Sequence, residues 1–372
     1  MIRIATIGTS AITRNLIDAI ASTPGAVFAG TLSRDAARAE AFTAEHGGTH
    51  PFTALEDLAG SDQVDAVYIG SPNALHHEQA LACIAGGKHV LVEKPFCANA
   101  REAREVFTAA ERAGVVALEA MRPLHDPAFH KVKGLLGELG PIRRATLRFG
   151  KYSSRYDEVL AGRATNIFDC AMATGSLMDI GVYSVEPLIE LFGAPREVHA
   201  CASLLDEGTR ALTNGPIDGA GVILAGYPSM VASLHHSKIT NDCSPSQIEG
   251  ELGTLVVEGI SAPSSARLEM RAAAERTDAV GYSSARVSTR EIELPQVANT
   301  MTYELADFIE AIRTVGDGVP ADQAPAGPFG STAHFRQVTL DSLELMDEAR
   351  RQCGVAFPAD DSPAHRTAIE SM

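Results

Sequence analysis

The sequence predicts an α/β protein in two parts: an N-terminal doubly wound parallel sheet, then a C-terminal α+β part with a large, mostly antiparallel open sheet. Three observations predict it. Short apolar runs alternate with helical periodicity as far as residue 122, the habit of βαβ units. After Pro123, strand-like segments follow one another with few helices between them, which suits antiparallel pairing. The chain has 372 residues, enough for two cores of ordinary size. The predicted boundaries are therefore 1–122 and 123–372.

The elements follow in order. Residues 2–7 read as a strand, 11–21 as a helix and 26–32 as a strand. A helix over 35–46 opens on Asp35, whose charge suits the positive end of the helix dipole. The alternation continues through 66–69, 74–85, 88–92, 99–113 and 115–119. Asn99 can cap the last of these helices, with Glu102 three residues on, close to a capping box. In the second part Phe129, Val132, Leu135 and Leu136 share one face of a helix. Strands are predicted at 142–149, 196–202, 221–225, 230–235, 254–258, 266–270 and 289–294. Helices over 302–313 and 332–353 flank a Gly/Pro/Ala-rich loop at 316–330, and the tail after Pro358 is expected to fray.

Composition excludes several function classes. A formal net charge of -16 sets an unfavourable field against a phosphate backbone, so no nucleic-acid partner is expected. No window is apolar enough to span a membrane, and Met1-Ile2-Arg3-Ile4 runs straight into a strand, so a cytoplasmic chain without a signal peptide is expected. Cys83, Cys97, Cys170, Cys201, Cys243 and Cys353 are widely spaced, so neither a metal cluster nor a disulfide framework is indicated; they read as small buried hydrophobes.

Ile7-Gly8-Thr9-Ser10-Ala11-Ile12-Thr13 occupies the first strand-to-helix turn. It is a degraded G-x-G-x-x-G: Gly8 keeps the tight turn, while Ser10 and Thr13 replace the later glycines. A dinucleotide pyrophosphate would sit there on free backbone N–H groups at the helix start, including those of Ala11 and Ile12. The second strand ends Leu32-Ser33-Arg34, with Arg38 one helical turn on, and no carboxylate at the position that usually holds a ribose diol. NADP is therefore preferred, with NAD as the alternative because Asp35 lies nearby. Ser71, Pro72 and Asn73 follow the third strand and would cover the cofactor, although Asn73 equally suits a helix cap. His76 reads as an orienting or packing histidine.

Glu93-Lys94-Pro95 follows the apolar run 88–92 and puts a lysine at the carboxyl edge of the sheet, where open α/β sheets build their crevices. Proline stiffens that elbow. Arg122 and His125 leave the fifth strand at the same edge and are candidates for cofactor or substrate contacts, or for interdomain pairs. Tyr152 and Arg155 offer a hydroxyl and a guanidinium suited to a polyol or acidic sugar. His235 and His236 sit on adjacent strand positions, so only one of them can face a pocket.

Together Gly8-x-Ser10, Ser71-Pro72-Asn73-x-x-His76, Glu93-Lys94-Pro95 and Gly175-Ser176-Leu177-Met178-Asp179-Ile180-Gly181-Val182-Tyr183 resemble the Gfo/Idh/MocA oxidoreductase family over nearly the whole chain. The nearest likeness is to its dimeric dihydrodiol dehydrogenase and glucose-fructose oxidoreductase branch. The resemblance implies a Rossmann NAD(P)-binding domain, an open C-terminal sheet that makes a homodimer or homotetramer, and hydride exchange at a CH–OH carbon of a sugar, polyol or dicarbonyl. It also implies that Lys94 contacts substrate and nicotinamide ribose beside Glu93, that Tyr183 is the catalytic acid/base, and that Asp179 stands on the motif aspartate without its partner histidine. Lys94 would be the cation that stabilises the phenolate. Tyr183 also reads as a core tyrosine and Asp179 as a helix brace, while Gly175 and Gly181 would let this helix approach the cofactor domain. A dinucleotide-binding regulator and a cofactor-assisted glycosidase or epimerase are the rival readings.

Overall fold

The computed structural model describes residues 1–271 and 287–361. Its first sheet has five parallel strands: β1 (Ile2–Ile7), β2 (Ala26–Leu32), β3 (Ala66–Ile69), β4 (His89–Glu93) and β5 (Ala117–Ala120), in the order β2-β1-β3-β4-β5. The order reverses between β1 and β3. That crevice at the carboxyl ends is where doubly wound sheets bind ligands.

Helices α1 (Ala11–Ser22), α2 (Ala36–Glu45), α3 (Leu55–Gly60), α4 (His76–Ala85) and α5 (Ala100–Ala113) connect these strands. Their starts follow from capping: the side chains of Ser10, Asp35 and Asn99 accept from the backbone N–H of Thr13, Arg38 and Glu102, which satisfies donors the first turn leaves free. Period-two alternation sends Ala5, Ile7, Val67, Ile69, Val90 and Val92 into one apolar cluster with α4 and α5. Ile4, Ala66, Tyr68 and Leu91 point the other way, into the cluster that continues through the second part.

The second part opens with α6 (Arg122–His125) and α7 (Pro127–Gly134), followed by β6 (Ile142–Gly150) and α8 (Ser154–Leu160). A π-helical turn at Leu177–Gly181 leads into α9 (Val182–Phe192). The strands β7 (Glu197–Leu204), β8 (Asp218–Gly226), β9 (Val231–Ser237), β10 (Ser246–Gly250), β11 (Gly253–Glu258), β12 (Ser265–Arg271) and β13 (Val287–Ile292) join β6 in one sheet, with the small α10 (Arg210–Thr213) between β7 and β8. The sheet order is β13-β12-β11-β10-β6-β9-β8-β7. All neighbours are antiparallel except β6 and β9.

Two helices close the chain. α11 (Met301–Gly316) packs on α1 and α6, and α12 (Thr332–Cys353) packs on α5 and β5 of the first sheet as well as on α9 and β7 of the second. The C-terminal residues thus return to the first domain, as Leu340 and Leu343 in its core show. Among the described residues no helix is long and apolar enough to cross a membrane. Of the tail expected to fray after Pro358, residues up to Asp361 form a helical turn in which Asp360 pairs with Arg350, and the rest lies outside the described residues.

Three expectations need correction. β10 was not anticipated, because Ser246 and Ile248 are its only buried side chains. Residues 154–160, where no element was expected, form a helix started by Ser153, whose hydroxyl accepts from Arg155 N. Cys201 and Cys243 are exposed and Cys353 is partly so, leaving only Cys83, Cys97 and Cys170 as buried hydrophobes; Cys201 lies on the outward side of strand β7.

Candidate active site

The turn after β1 is shaped for close backbone approach. Gly8 has φ +107, and a Cβ there would stand 3.0 Å from the Gly70 carbonyl oxygen, so only glycine is unstrained. The Thr31 hydroxyl donates to the Gly8 carbonyl at 3.1 Å and fixes the turn on β2. The first turn of α1 leaves the N–H groups of Ala11 and Ile12 without intrahelical acceptors. Arg34 and Arg38 are exposed beside it. Asp35 is taken up as the cap of α2, accepting from Arg38 N at 3.1 Å, and Ser33 accepts from Asp35 N at 3.3 Å. This cradle fits a dinucleotide with an additional phosphate on its ribose.

The third-strand loop is held differently from expectation. The Ser71 hydroxyl donates to Gln79 Oε1 at 2.6 Å. Asn73 caps no helix; its amide donates to the Ala173 carbonyl at 2.8 Å and ties the two parts together. His76 is fully buried, with ring nitrogens 2.9 Å from the Ser71 carbonyl and 3.1 Å from the Pro95 carbonyl. It therefore joins the loop carrying Ser71, Pro72 and Asn73 to the turn carrying Lys94.

Lys94 reaches across to the π-helical turn. Its Nζ donates to the Asp179 carbonyl at 2.6 Å and lies 3.3 Å from Asp179 Oδ1. The same ammonium stands 4.9 Å from the centre of the Tyr183 ring, a cation–π distance. Burial works against its charge, but Tyr183, Asp179 and Glu93 outweigh it and hold Lys94 protonated above the ordinary lysine range.

The phenol oxygen has a partner other than the one expected. Arg122 Nη2 donates to Tyr183 Oη at 3.0 Å, whereas the assigned hydrogen bonds of Lys94 go to Asp179. Arg122 is half-buried, and despite that burial the surrounding Tyr183, Glu304 and Glu93 raise its basicity further. Phe149 of β6 meets the Tyr183 ring edge-on at 5.5 Å, so α6 and β6 both hold the ring.

Beneath these groups lies a layer of buried carboxyls. Glu93 accepts from the Tyr68 hydroxyl at 2.6 Å and from Lys94 N at 3.2 Å, and burial raises its pKa. Glu304 of α11 is wholly buried, with neither carboxyl oxygen hydrogen-bonded, and burial pushes it well above the carboxylate range. Glu119 accepts from Phe96 N at 2.8 Å and from the Thr339 hydroxyl at 2.6 Å, and burial pushes it up to about 7.

Asp179 sits between two lysines. Burial disfavours its charge, yet Lys94 and Lys238 together bring it down to about 2. Lys238, just beyond β9, pairs with Asp179 Oδ2; the sequence reading did not include it. No local motif marks it. Only the parallel pairing of β6 with β9 brings that strand end beside the π-helical turn.

Other candidates fall elsewhere. His125 is 2% exposed, with its ring nitrogen 2.7 Å from Asp307 Oδ2, and belongs to the packing between α6 and α11. Of its two readings the geometry matches the structural pair. Tyr152 is exposed, donating to Asp157 Oδ1 at 2.6 Å, and Arg155 is exposed on α8. Gly175 and Gly181 approach the second sheet rather than the cofactor domain: a Cβ on Gly175 would collide with the Asp218 carboxylate, and one on Gly181 would stand 3.1 Å from the His236 ring. His236 faces inward, 2.9 Å from the Ser176 hydroxyl, and burial lowers its pKa to about 3. His235 faces the other side of the sheet, as adjacent strand residues must.

The comparisons accord with this architecture. Residues 2–120 match the model of an oxidoreductase family with an NAD-binding Rossmann fold, and residues 130–256 match the GFO/IDH/MocA C-terminal domain. The chain is 38% identical over 360 residues to a scyllo-inositol 2-dehydrogenase (NADP(+)) of Bacillus subtilis, covering 97% of this chain and 99% of that protein. It is 29% identical to a rabbit (Oryctolagus cuniculus) trans-1,2-dihydrobenzene-1,2-diol dehydrogenase, covering 88% and 91% of the two chains. The crystal structure of KijD10, a 3-ketoreductase from Actinomadura kijaniata, shares the fold at a TM-score of 0.73 and 23% identity, over 95% of this chain and 98% of that one. On the strength of both domain matches and full-length likeness, the chain belongs to the Gfo/Idh/MocA family of oxidoreductases.

Proposed function

We propose that this oxidoreductase is NADP-dependent and moves a hydride between the cofactor and a CH–OH carbon of a polyol, sugar or related diol. One observation carries the reading: Lys94 and Tyr183, from separate parts of the chain, converge with the ammonium 4.9 Å from the ring centre. The Gly8–Ser10 turn and the N–H groups of Ala11 and Ile12 would hold the pyrophosphate, with Ser33, Arg34 and Arg38 at the ribose phosphate. Ser71, Pro72 and Asn73 would border the cofactor. When bound, the nicotinamide supplies or accepts the hydride.

The protein's own groups handle the proton. Tyr183 Oη gives a proton to the substrate oxygen in reduction and takes one from the hydroxyl in oxidation. Arg122 stabilises the negative charge this leaves on the phenol oxygen. Lys94, held protonated, donates to the substrate oxygen and polarises it. Asp179, at about 2, is too weak a base to take that proton at neutral pH, so it positions Lys94 instead.

Turnover of NADP with inositols, dihydrodiols, aldoses and α-dicarbonyls tests the assignment. Tyr183→Phe and Lys94→Met should each lower kcat by about 10²- to 10⁴-fold while NADP still binds. Binding without turnover in the parent protein, unchanged by Lys94→Met, would instead support a sensor. We further assign the outward face of the second sheet to a homodimer contact. Leu224 and Val231 are 53% and 58% exposed on its neighbouring strands, an apolar display that calls for a cover.

A further inference from the structure

We propose that Lys238 is a specificity residue, binding the oxygen on the carbon next to the reacting one, so that the site takes substrates with two adjacent oxygens. The inference rests on the dehydrogenase reading above and names its substrate class. A lysine ammonium carries three donors. That of Lys94 spends two on Asp179, one on the carbonyl and one on Oδ1. That of Lys238 has Asp179 Oδ2 as its one hydrogen-bond partner among the described residues.

The two ammonium groups therefore flank a single carboxylate and leave one and two donors over. The Lys94 ammonium, 4.9 Å from the Tyr183 ring centre, stands where the reacting oxygen would be held. The Lys238 ammonium is on the other oxygen of the same carboxylate. That spacing suits the neighbouring oxygen of a vicinal diol or a hydroxy ketone, and a substrate with one isolated hydroxyl would leave Lys238 unused.

Lys238 is built to hold still. Its N–H donates to the Gly219 carbonyl at 2.9 Å, and its own carbonyl accepts from Ser153 N at 2.9 Å. The residue is 7% exposed, so its stem is confined and its direction fixed by packing against the π-helical turn. Charge adds to the geometry. Lys94 and Lys238 flank the well-ionised carboxylate of Asp179, so two cations act against one anion there, a balance that favours oxygen lone pairs and developing negative charge.

The test compares trans-1,2-cyclohexanediol with cyclohexanol as substrates for the NADP-loaded enzyme. In the parent the diol should be the better substrate. Lys238→Met should lower the ratio of kcat/KM for the diol to that for cyclohexanol by about 10- to 100-fold, the loss of a hydrogen bond to a charged group, over and above any loss the two substrates share through Asp179. Lys238→Arg should retain most of the preference, and unchanged NADP affinity in both variants would show that the cofactor site is intact. An equal loss on both substrates would overturn the proposal, since Lys238 would then act only through Asp179 and Lys94. No loss on either would overturn it as well. A parent enzyme that binds NADP but turns over neither these alcohols nor the inositols, dihydrodiols, aldoses and α-dicarbonyls would remove the dehydrogenase reading and this inference together, whereas turnover with an unaltered diol preference in Lys238→Met would remove only the inference.

Discussion

Arg122→Met is the sharpest test of how the phenol is activated. The guanidinium donates to Tyr183 Oη at 3.0 Å, and in the reductive direction that oxygen gives up its proton. At an effective dielectric of about 20, a full unit charge on the oxygen would gain about 5 kcal/mol from the cation. Only the charge developed at the transition state counts, so about half, or 2–3 kcal/mol, applies. The independent figure for a hydrogen bond to a charged group, about 1.5–3 kcal/mol, agrees. The variant should lose about 30- to 150-fold in kcat. Its KM for NADP should stay within about 3-fold, because the interaction forms with the transition state and not with the bound cofactor. Steady-state kinetics in both directions, with NADPH and NADP each varied through KM, measure kcat and the cofactor KM together. A change confined to the NADP KM would refute the reasoning and return Arg122 to the cofactor-contact role considered from sequence.

Three further outcomes are expected. Arg34→Ala combined with Arg38→Ala should weaken NADP binding by about 10- to 100-fold and NAD binding little, since charge-assisted phosphate contacts are the ones lost; equal weakening by titration calorimetry would count against a ribose-phosphate role. Gly8→Ala should destabilise the protein by about 1–3 kcal/mol, because alanine at φ +107 would press on the Gly70 carbonyl oxygen, seen as a lower melting temperature with reduced NADP affinity. Glu119 supplies a pH signature: burial raises its carboxyl from an ordinary 4.5 to about 7, so between those values the folded state keeps a proton that the unfolded state has released. Its contribution to stability is therefore present at low pH, falls as pH rises across that window and is level above it. Glu119→Gln should flatten the fall in melting temperature over that range, and parallel curves for parent and variant would contradict the assignment.

The first sheet was legible because its strands are short apolar runs and the helices after β1, β2 and β4 start on polar caps, so local chemistry and tertiary place agree. α3 escaped because six residues, Leu55–Gly60, are too few for a period to show. β10 escaped because Gln247 and Glu249 alternate with only Ser246 and Ile248, although it lies between β6 and β11. At the site, Lys94 and Tyr183 were read as a pair through the family resemblance, but the pairing of Arg122 with Tyr183 was not visible. Arg122 and Tyr183 are 61 positions apart, and no periodicity reports a contact of that range. Lys238 was silent for the same reason: a lysine at a strand end reads as solvated unless the sheet order is known. His125 and Asn73 show the converse, since a polar residue near a predicted crevice can be spent on holding the fold together.

α12 has a mechanical consequence. With 22 residues it is a rod about 33 Å long, anchored on α5 and β5 at one side and on α9 and β7 at the other. Such a splint resists any wide swing of one half against the other. Entry and exit at the crevice must then come from small local yielding in the segments that border it, and amide exchange should find those borders loosening well before the rod does.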